Sequence, residues 1–386
     1  MAIKCLLVFE PGVDGVFRHV EGLTRFLVDC GHQVGLAYSS KRGSAALRTL
    51  VWEATERGDV AFDMNVDNAP CLGDPRALFR ICQAVIRWSP DVIHAHSSKA
   101  GALGRVAGRI LCVPTFYTAH AYYGMGKISR AAKLVFDSVE RVLGPLGKTI
   151  NISADEAAFA CDVLGIAASQ QSIIPNPTDP FLFTPATSEE RILARRQLGI
   201  PEGAVAIGSI GRLTHQKDPA TLYRAFAQAS RKHSSLLLVH VGEGALDQEL
   251  KQLAEELGIT SRIKRLPYQD EPRRFYWAID ALVMSSTYEA GWPIVILEAM
   301  ACGLPVAATT APGMSDIGFA GLSHCWTAAV GNYVALGGAI ESLLEDMPNR
   351  RQSNHRETIE DRFTPEICFG KVLEHYKAII ANHQKK

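Results

Sequence analysis

Two cations stand close together just ahead of a helix start. In the run Gly211-Arg212-Leu213-Thr214-His215-Gln216-Lys217-Asp218-Pro219, Asp218 is a good N-cap and Pro219 suits the first helical position. The macrodipole disfavours Arg212 and Lys217 at that end of the helix. A bound dianion resolves the conflict, because backbone N–H groups and both side chains would then point at phosphate. A second tension lies in residues 286–305, STYEAGWPIVILEAMACGLP. Pro293 suits a helix start, while Gly303 and Pro305 make a stop. Between them Glu298 stands alone among Ile294, Val295, Ile296, Leu297, Ala299, Met300 and Ala301, so the helix should be buried. A buried carboxylate needs donors. Neighbouring backbone N–H groups could supply them, or a ligand hydroxyl pair such as a ribose.

Histidines form the third group. His94 and His96, two apart on a strand, share a face and could in principle share a metal. No third ligand is spaced near them, so no metal is expected. His120 ends the strand 114–120, PTFYTAH, at the edge where open α/β sheets place ligands. It reads either as a structural histidine or as a ligand contact.

These residues need a frame that brings strand ends together. Residues 4–9, KCLLVF, form a continuous apolar run, as expected of a buried parallel strand. A loop with Gly12 and Gly15 follows, then an amphipathic helix to about Asp29 and a second strand at 33–38. The loop is not Gly-x-Gly-x-x-Gly, which makes it weak support for a dinucleotide site. Strands at 91–95, 114–120 and 149–153 continue the alternation, and a short strand and turn follow near 173–179. After a polar helix at 187–198 the alternation starts again at Ala204. Two doubly wound halves imply an α/β fold of two Rossmann-like domains facing each other across a cleft. The expected domains are 1–180 and 181–362, with 363–386 as a C-terminal helix that crosses back to the first.

Composition excludes several classes. Lys+Arg and Asp+Glu are both 40, so charge implies no nucleic-acid partner. Nine scattered cysteines without a Cys-x-x-Cys pair suggest free thiols in a reducing compartment. The N-terminal apolar run is too short for a signal peptide, and no apolar stretch approaches the ~20 residues of a membrane span. A cytoplasmic protein is expected. The stretch 127–148 carries Lys127, Arg130, Lys133, Arg141 and Lys148 among apolar residues, a pattern that suits an anionic membrane surface. Asp137 and Glu140 interrupt the charge, as on a solvated face.

The run Gly291-Trp292-Pro293, with Glu298 to Val306, resembles the nucleotide-binding signature of retaining, nucleotide-sugar-dependent glycosyltransferases of the GT-B fold. Gly211-Arg212-Leu213 with Lys217 resembles the same family's diphosphate grip. The resemblance implies that Glu298 anchors a ribose and that Gly211, Arg212 and Lys217 hold the donor diphosphate. It also implies that His120 approaches the donor sugar and that Gly15 lines the cleft. Gly242 resembles the family's Gly-x-Gly turn, and Tyr268 its base-binding wall. Residues 312–316, with Gly313 and Met314, resemble the loop that meets phosphate and sugar, with Asp316 where Glu is usual. One departure concerns Glu289. The two glutamates are separated by one residue more than the family pattern, so counting back from Glu298 lands on Ala290.

The resemblance implies transfer of a sugar from a nucleoside diphosphate, a UDP-sugar first, to a hydroxyl acceptor with retention. His120, Arg212, Lys217 and Glu289 are the expected catalytic residues, with neither metal nor cofactor. A carbohydrate or lipid-linked acceptor in polysaccharide or glycolipid assembly is expected, with peripheral contact at the inner face of the membrane through 127–148. The alternatives are a nucleotide-sugar 2-epimerase of the same architecture and a non-catalytic nucleotide-sugar binding protein.

Overall fold

The computed structural model describes residues 2–67, 71, 73–126, 128–269, 271–314, 322–347 and 354–383. The chain divides into two compact units, Met1–Pro177 with Pro365–Lys386, and Thr178–Thr364.

The first unit is built on seven parallel strands. They are β1 (Lys4–Phe9), β2 (Gln33–Tyr38), β3 (Ala61–Asp63), β4 (Val92–His96), β5 (Thr115–Thr118), β6 (Lys148–Asn151) and β7 (Gln171–Ile173). Their order is β3-β2-β1-β4-β5-β6-β7. The chain therefore winds one way from β1 and the other way from β4, which makes the β1/β4 junction the switch point. β1 is buried from Cys5 onward because both its faces are covered. One cover includes the C-terminal helix Pro365–His383, whose Cys368, Phe369, Val372 and Tyr376 pack with Cys5, Leu7, Phe17 and Leu23.

The second unit repeats the plan with six strands. They are β8 (Val205–Ile210), β9 (Leu236–Val241), β10 (Ile263–Leu266), β11 (Ala281–Met284), β12 (Val306–Thr309) and β13 (Cys325–Ala328). The order β10-β9-β8-β11-β12-β13 puts its switch point between β8 and β11. All pairings in both sheets are parallel, for example Ile207 beside Ala281 and Cys5 beside Val92. Local signals set the helices as read. Thr187 and Glu190 form a reciprocal capping box on Ser188–Gln197. Asp218 caps Pro219–Ser230 by accepting from the Thr221 N–H. Pro293 is one step off expectation: it is the N-cap of the helix Ile294–Ala301, and Gly303 closes that helix with φ +72°. All nine cysteines are unpaired.

The helix in 127–148 is amphipathic, but the solvated-face reading of its acids needs correction. The helix Arg130–Leu143 buries Asp137 and Glu140 and exposes Leu134, Val135, Val139 and Val142. The two acids are not on a solvated face. Glu140 receives Arg105 at 2.8 Å and the Tyr117 hydroxyl at 3.0 Å, and Asp137 pairs with Lys133 at 3.2 Å. Lys127 lies outside the described residues.

Candidate active site

In the second unit the expected residues gather just past the C-terminal ends of the strands. Gly211 follows β8, Gly242 follows β9, Tyr268 lies beyond β10, Glu289 beyond β11, and Gly313 and Met314 beyond β12. Two loops are locked together there. The Gly211 N–H donates to the Val241 carbonyl at 3.0 Å, and the Leu213 N–H to the Glu243 carbonyl at 2.9 Å. A Cβ on Gly242 would stand 2.0 Å from the Gly211 oxygen, and Gly242 has φ +142°. Only glycine fits that approach.

The loop after β8 is stitched to the segment after β11. The Ser285 hydroxyl donates to the carbonyls of Lys217 and Asp218, both at 2.8 Å, and the Thr287 N–H to the Gln216 carbonyl at 2.7 Å. The residue that faces the loop after β8 is Glu289. Lys217 Nζ meets Glu289 Oε1 at 2.5 Å, and Glu289 is 7 % exposed. The pair bridges the strand-order reversal of this sheet, where open α/β sheets bind ligands. Behind it the Glu289 N–H donates to the Pro312 carbonyl at 2.8 Å, and Gly313, with φ +95°, lies against the Glu289 carbonyl. Arg212 Nη2 reaches Gln216 at 3.5 Å. Ser315 and Asp316 lie outside the described residues.

Glu298 finds a donor that neither expectation named. The Tyr276 hydroxyl donates to its Oε2 at 2.6 Å from the helix Arg273–Ala278. Glu298 is 4 % exposed, so the phenol answers part of the demand that burial creates. Tyr268 is exposed, and Met314 is buried.

In the first unit Gly15 and His120 sit near the other switch point. Gly15 lies in the helix Asp14–Asp29, and a Cβ there would meet nothing within 4 Å. The glycine that sterics require is Gly12, where a Cβ would approach Leu47 to 2.5 Å and the Arg42 carbonyl to 2.7 Å. Asp14 itself takes the left-handed conformation with φ +67°. His120 lies past β5 with φ +55° and Ala121 with φ +86°, and the Ala121 N–H is held by the buried Glu156 carboxylate at 2.9 Å. Burial pushes the Glu156 carboxyl up to about 7, against the opposing pull of its two backbone N–H bonds.

Tertiary structure assembles a histidine cluster that spacing along the chain could not reveal. His19 from the first helix, His96 from the end of β4 and His120 each place a ring nitrogen within 4.8 Å of the others. His96 Nδ1 and His120 Nε2 are 3.1 Å apart. His94, the neighbour first considered as a co-ligand of His96, is instead held by Tyr376 at 2.5 Å and Thr118 at 2.9 Å. Burial keeps all four imidazoles neutral: His19 is lowered to about 4, and His94, His96 and His120 fall well below the usual histidine range.

Comparison with known proteins gives the family. Residues 13–180 match the model for Glycosyltransferase Family 4, and residues 190–358 match that for Glycosyl transferases group 1. A D-inositol 3-phosphate glycosyltransferase of Geodermatophilus obscurus is 32 % identical over 58 % of this chain and 53 % of its own length. The Escherichia coli UDP-Gal:alpha-D-GlcNAc-diphosphoundecaprenol alpha-1,3-galactosyltransferase is 29 % identical over 62 % of each chain. The matched part thus spans between half and two thirds of these curated relatives. Among solved structures, Anabaena HepE in complex with UDP and glucose superposes with a TM-score of 0.82 at 23 % identity, over 97 % of this chain and all of that one. A likeness at that identity speaks for the fold. With one family model on each half, and with the two parallel sheets of that fold, the chain belongs to the GT-B-fold glycosyltransferases.

Proposed function

We propose that this protein transfers a sugar from a nucleoside diphosphate, a UDP-sugar first, to a hydroxyl acceptor with retention of configuration. The single observation that carries the reading is the Lys217–Glu289 bridge across the β8/β11 switch point, beside Arg212 and the start of the helix Pro219–Ser230. Leaving-group charge on the diphosphate is the chemical obstacle. Arg212, Lys217 and the helix N-terminus oppose it electrostatically, in the role a divalent ion fills elsewhere. Gly211, Gly242, Gly313 and Met314 shape the loops around the phosphates, Tyr268 borders the base, and Glu298 receives the ribose hydroxyls. Glu289 turns from Lys217 to the sugar when the diphosphate takes the ammonium. His120, neutral because it is buried, orients a sugar hydroxyl rather than removing a proton, and Gly15 borders the same region.

Retention follows from front-face attack. The acceptor oxygen bonds to the anomeric carbon as the bond to the diphosphate oxygen breaks, and the departing phosphate takes the acceptor's proton. The donor is a substrate, and the transfer requires no cofactor. A thermal-shift panel with UDP, GDP, ADP and dTDP, with NAD as control, tests the reading. A cognate diphosphate at ~100 times its dissociation constant stabilises the fold by roughly 2.7 kcal/mol. A shift with NAD alone, or with none, would overturn it.

The acceptor reading rests on the helix Arg130–Leu143. Leu134, Val135, Val139 and Val142 form an exposed apolar stripe, flanked by the exposed cations Arg130, Arg141 and Lys148. Such a face suits the anionic surface of a bilayer, and with it a lipid-linked acceptor in polysaccharide or glycolipid assembly. Among the described residues no helix is long and apolar enough to cross a membrane. The protein would then work at the inner face of the membrane. Vesicles containing anionic lipid should co-sediment it at low salt, and Leu134→Asp should abolish the effect. No co-sedimentation would remove the membrane part and leave the donor part standing.

A further inference from the structure

We propose that His19, His96 and His120 form a binding site for a divalent transition-metal ion of the zinc class. Three imidazoles, from a helix, a strand end and a loop, offer one ring nitrogen each within 4.8 Å of one another. At metal–nitrogen distances of about 2.0–2.1 Å, two ligands of a tetrahedral ion lie about 3.3 Å apart. The closest pair, His96 Nδ1 and His120 Nε2, already stands at 3.1 Å. Only His19 has to close in.

Two further observations point to a missing partner. His19 Nε2 is buried and has no hydrogen-bond partner among the described residues, a costly state for a polar atom in an interior. His19 is also prepared in the manner of a metal ligand. Its Nδ1 stands 2.9 Å from Asn176 Oδ1, so the proton belongs on Nδ1 and the lone pair on Nε2. A carbonyl oxygen that fixes the tautomer of a ligating histidine is the usual outer-shell arrangement. Burial meanwhile holds the three rings neutral, the form that ligates.

His120 is the least enclosed of the three, the side from which an ion would enter. The ligand set of three neutral nitrogens suits Zn2+, Co2+ or Ni2+ and not Mg2+ or Ca2+, which prefer oxygen. The inference adds an ion among first-unit histidines; it shares His120 with the proposed function but none of the diphosphate grip. Its test reads metal directly, so it can fail or succeed whatever the donor proves to be.

The full chain, stripped with a chelator, is titrated with Co2+ and followed by visible ligand-field absorption, then with Zn2+. The expected result is saturation at a single ion per chain, with an intense tetrahedral band that Zn2+ displaces. His19→Gln and His96→Gln should each abolish the band, and Asn176→Leu should weaken Co2+ binding about 10–100-fold. Absence of a saturable band, or a band of wild-type affinity in His19→Gln, overturns the proposal. Circular dichroism checks each variant for folding. If His19→Gln does not fold, Asn176→Leu decides: unchanged Co2+ affinity in a folded Asn176→Leu protein overturns the site.

Discussion

Each unit gathers its reactive residues where the strand order of its sheet reverses, yet the two gatherings differ in kind. Around β8 and β11 the groups are Lys217, Glu289 and Arg212, with the first two in contact at 2.5 Å. Around β1 and β4 they are His19, His96, His120 and the buried Glu10, whose carboxyl burial raises and whose partner is the Ser97 hydroxyl. Ion pairing lets one site keep partly buried charge. At the other, burial lowers the three imidazoles and raises the Glu10 carboxyl against the opposing pull of Ser97 and Arg42. The same topology thus gathers paired charges at one reversal and buried imidazoles at the other.

The largest expected effect tests the charged site. Lys217→Ala, or Arg212→Ala, should lower kcat by roughly 10²–10³ while the Tm stays close to wild type. Wild-type turnover in either variant would break the contrast, because the cations would then be ordinary surface charge.

The neutral site makes a prediction about pH. Glu156 supports the left-handed turn at His120 and Ala121, and burial raises its carboxyl from 4.5 to about 7. Below pH 4.5 the carboxyl is protonated in both folded and unfolded chains. Between 4.5 and about 7 only the folded chain keeps the proton, so Glu156's contribution to stability is lost as pH rises through that window. The loss amounts to about 3 kcal/mol at full effect. Urea denaturation at steps across that range should show the decline, and Glu156→Gln should flatten it. An identical slope in the variant would assign the effect elsewhere.

Glu298 stands between the two kinds, a carboxylate buried beside a phenol. Glu298→Gln should weaken binding of the nucleoside diphosphate by about 1.5–3 kcal/mol in calorimetry, the worth of hydrogen bonds to a charged group. An unchanged dissociation constant would return Glu298 to a structural role with Tyr276.

The smallest effects concern glycine. Gly313→Ala must find room 1.9 Å from the Glu289 carbonyl at φ +95°, a strain of about 1–3 kcal/mol that should also displace Glu289. Gly15→Ala, on a helix with open space around it, should shift stability by no more than ~0.5 kcal/mol. A marked fall in activity in that variant would mean that a ligand approaches the Gly15 backbone.

The second unit was the more legible of the two, for a physical reason. Its candidate site residues lie in short motifs whose local conflicts, cations at a helix start and an acid in an apolar helix, stand out before any fold is known. What the motifs left open was Glu289, because spacing alone points to Ala290. The stitching of the loop after β8 to the segment after β11 places Glu289 against Lys217, a contact that spacing does not report. On the helix Arg130–Leu143 the sequence pattern misled: Asp137 and Glu140 look solvent-facing until Arg105, Tyr117 and Lys133 are seen to donate to them.

By itself, then, the sequence determined the alternation of buried strands and capped helices, the doubling of the α/β plan, and the residues around Arg212, Lys217 and Glu298. Those features depend on interactions within a few residues, which periodicity and capping report. Only the tertiary structure decided which glycine the first loop requires, which phenol meets Glu298, and that His19 and His120 meet His96. These contacts join residues far apart in the chain, and they are fixed by the order of parallel strands rather than by any spacing along it.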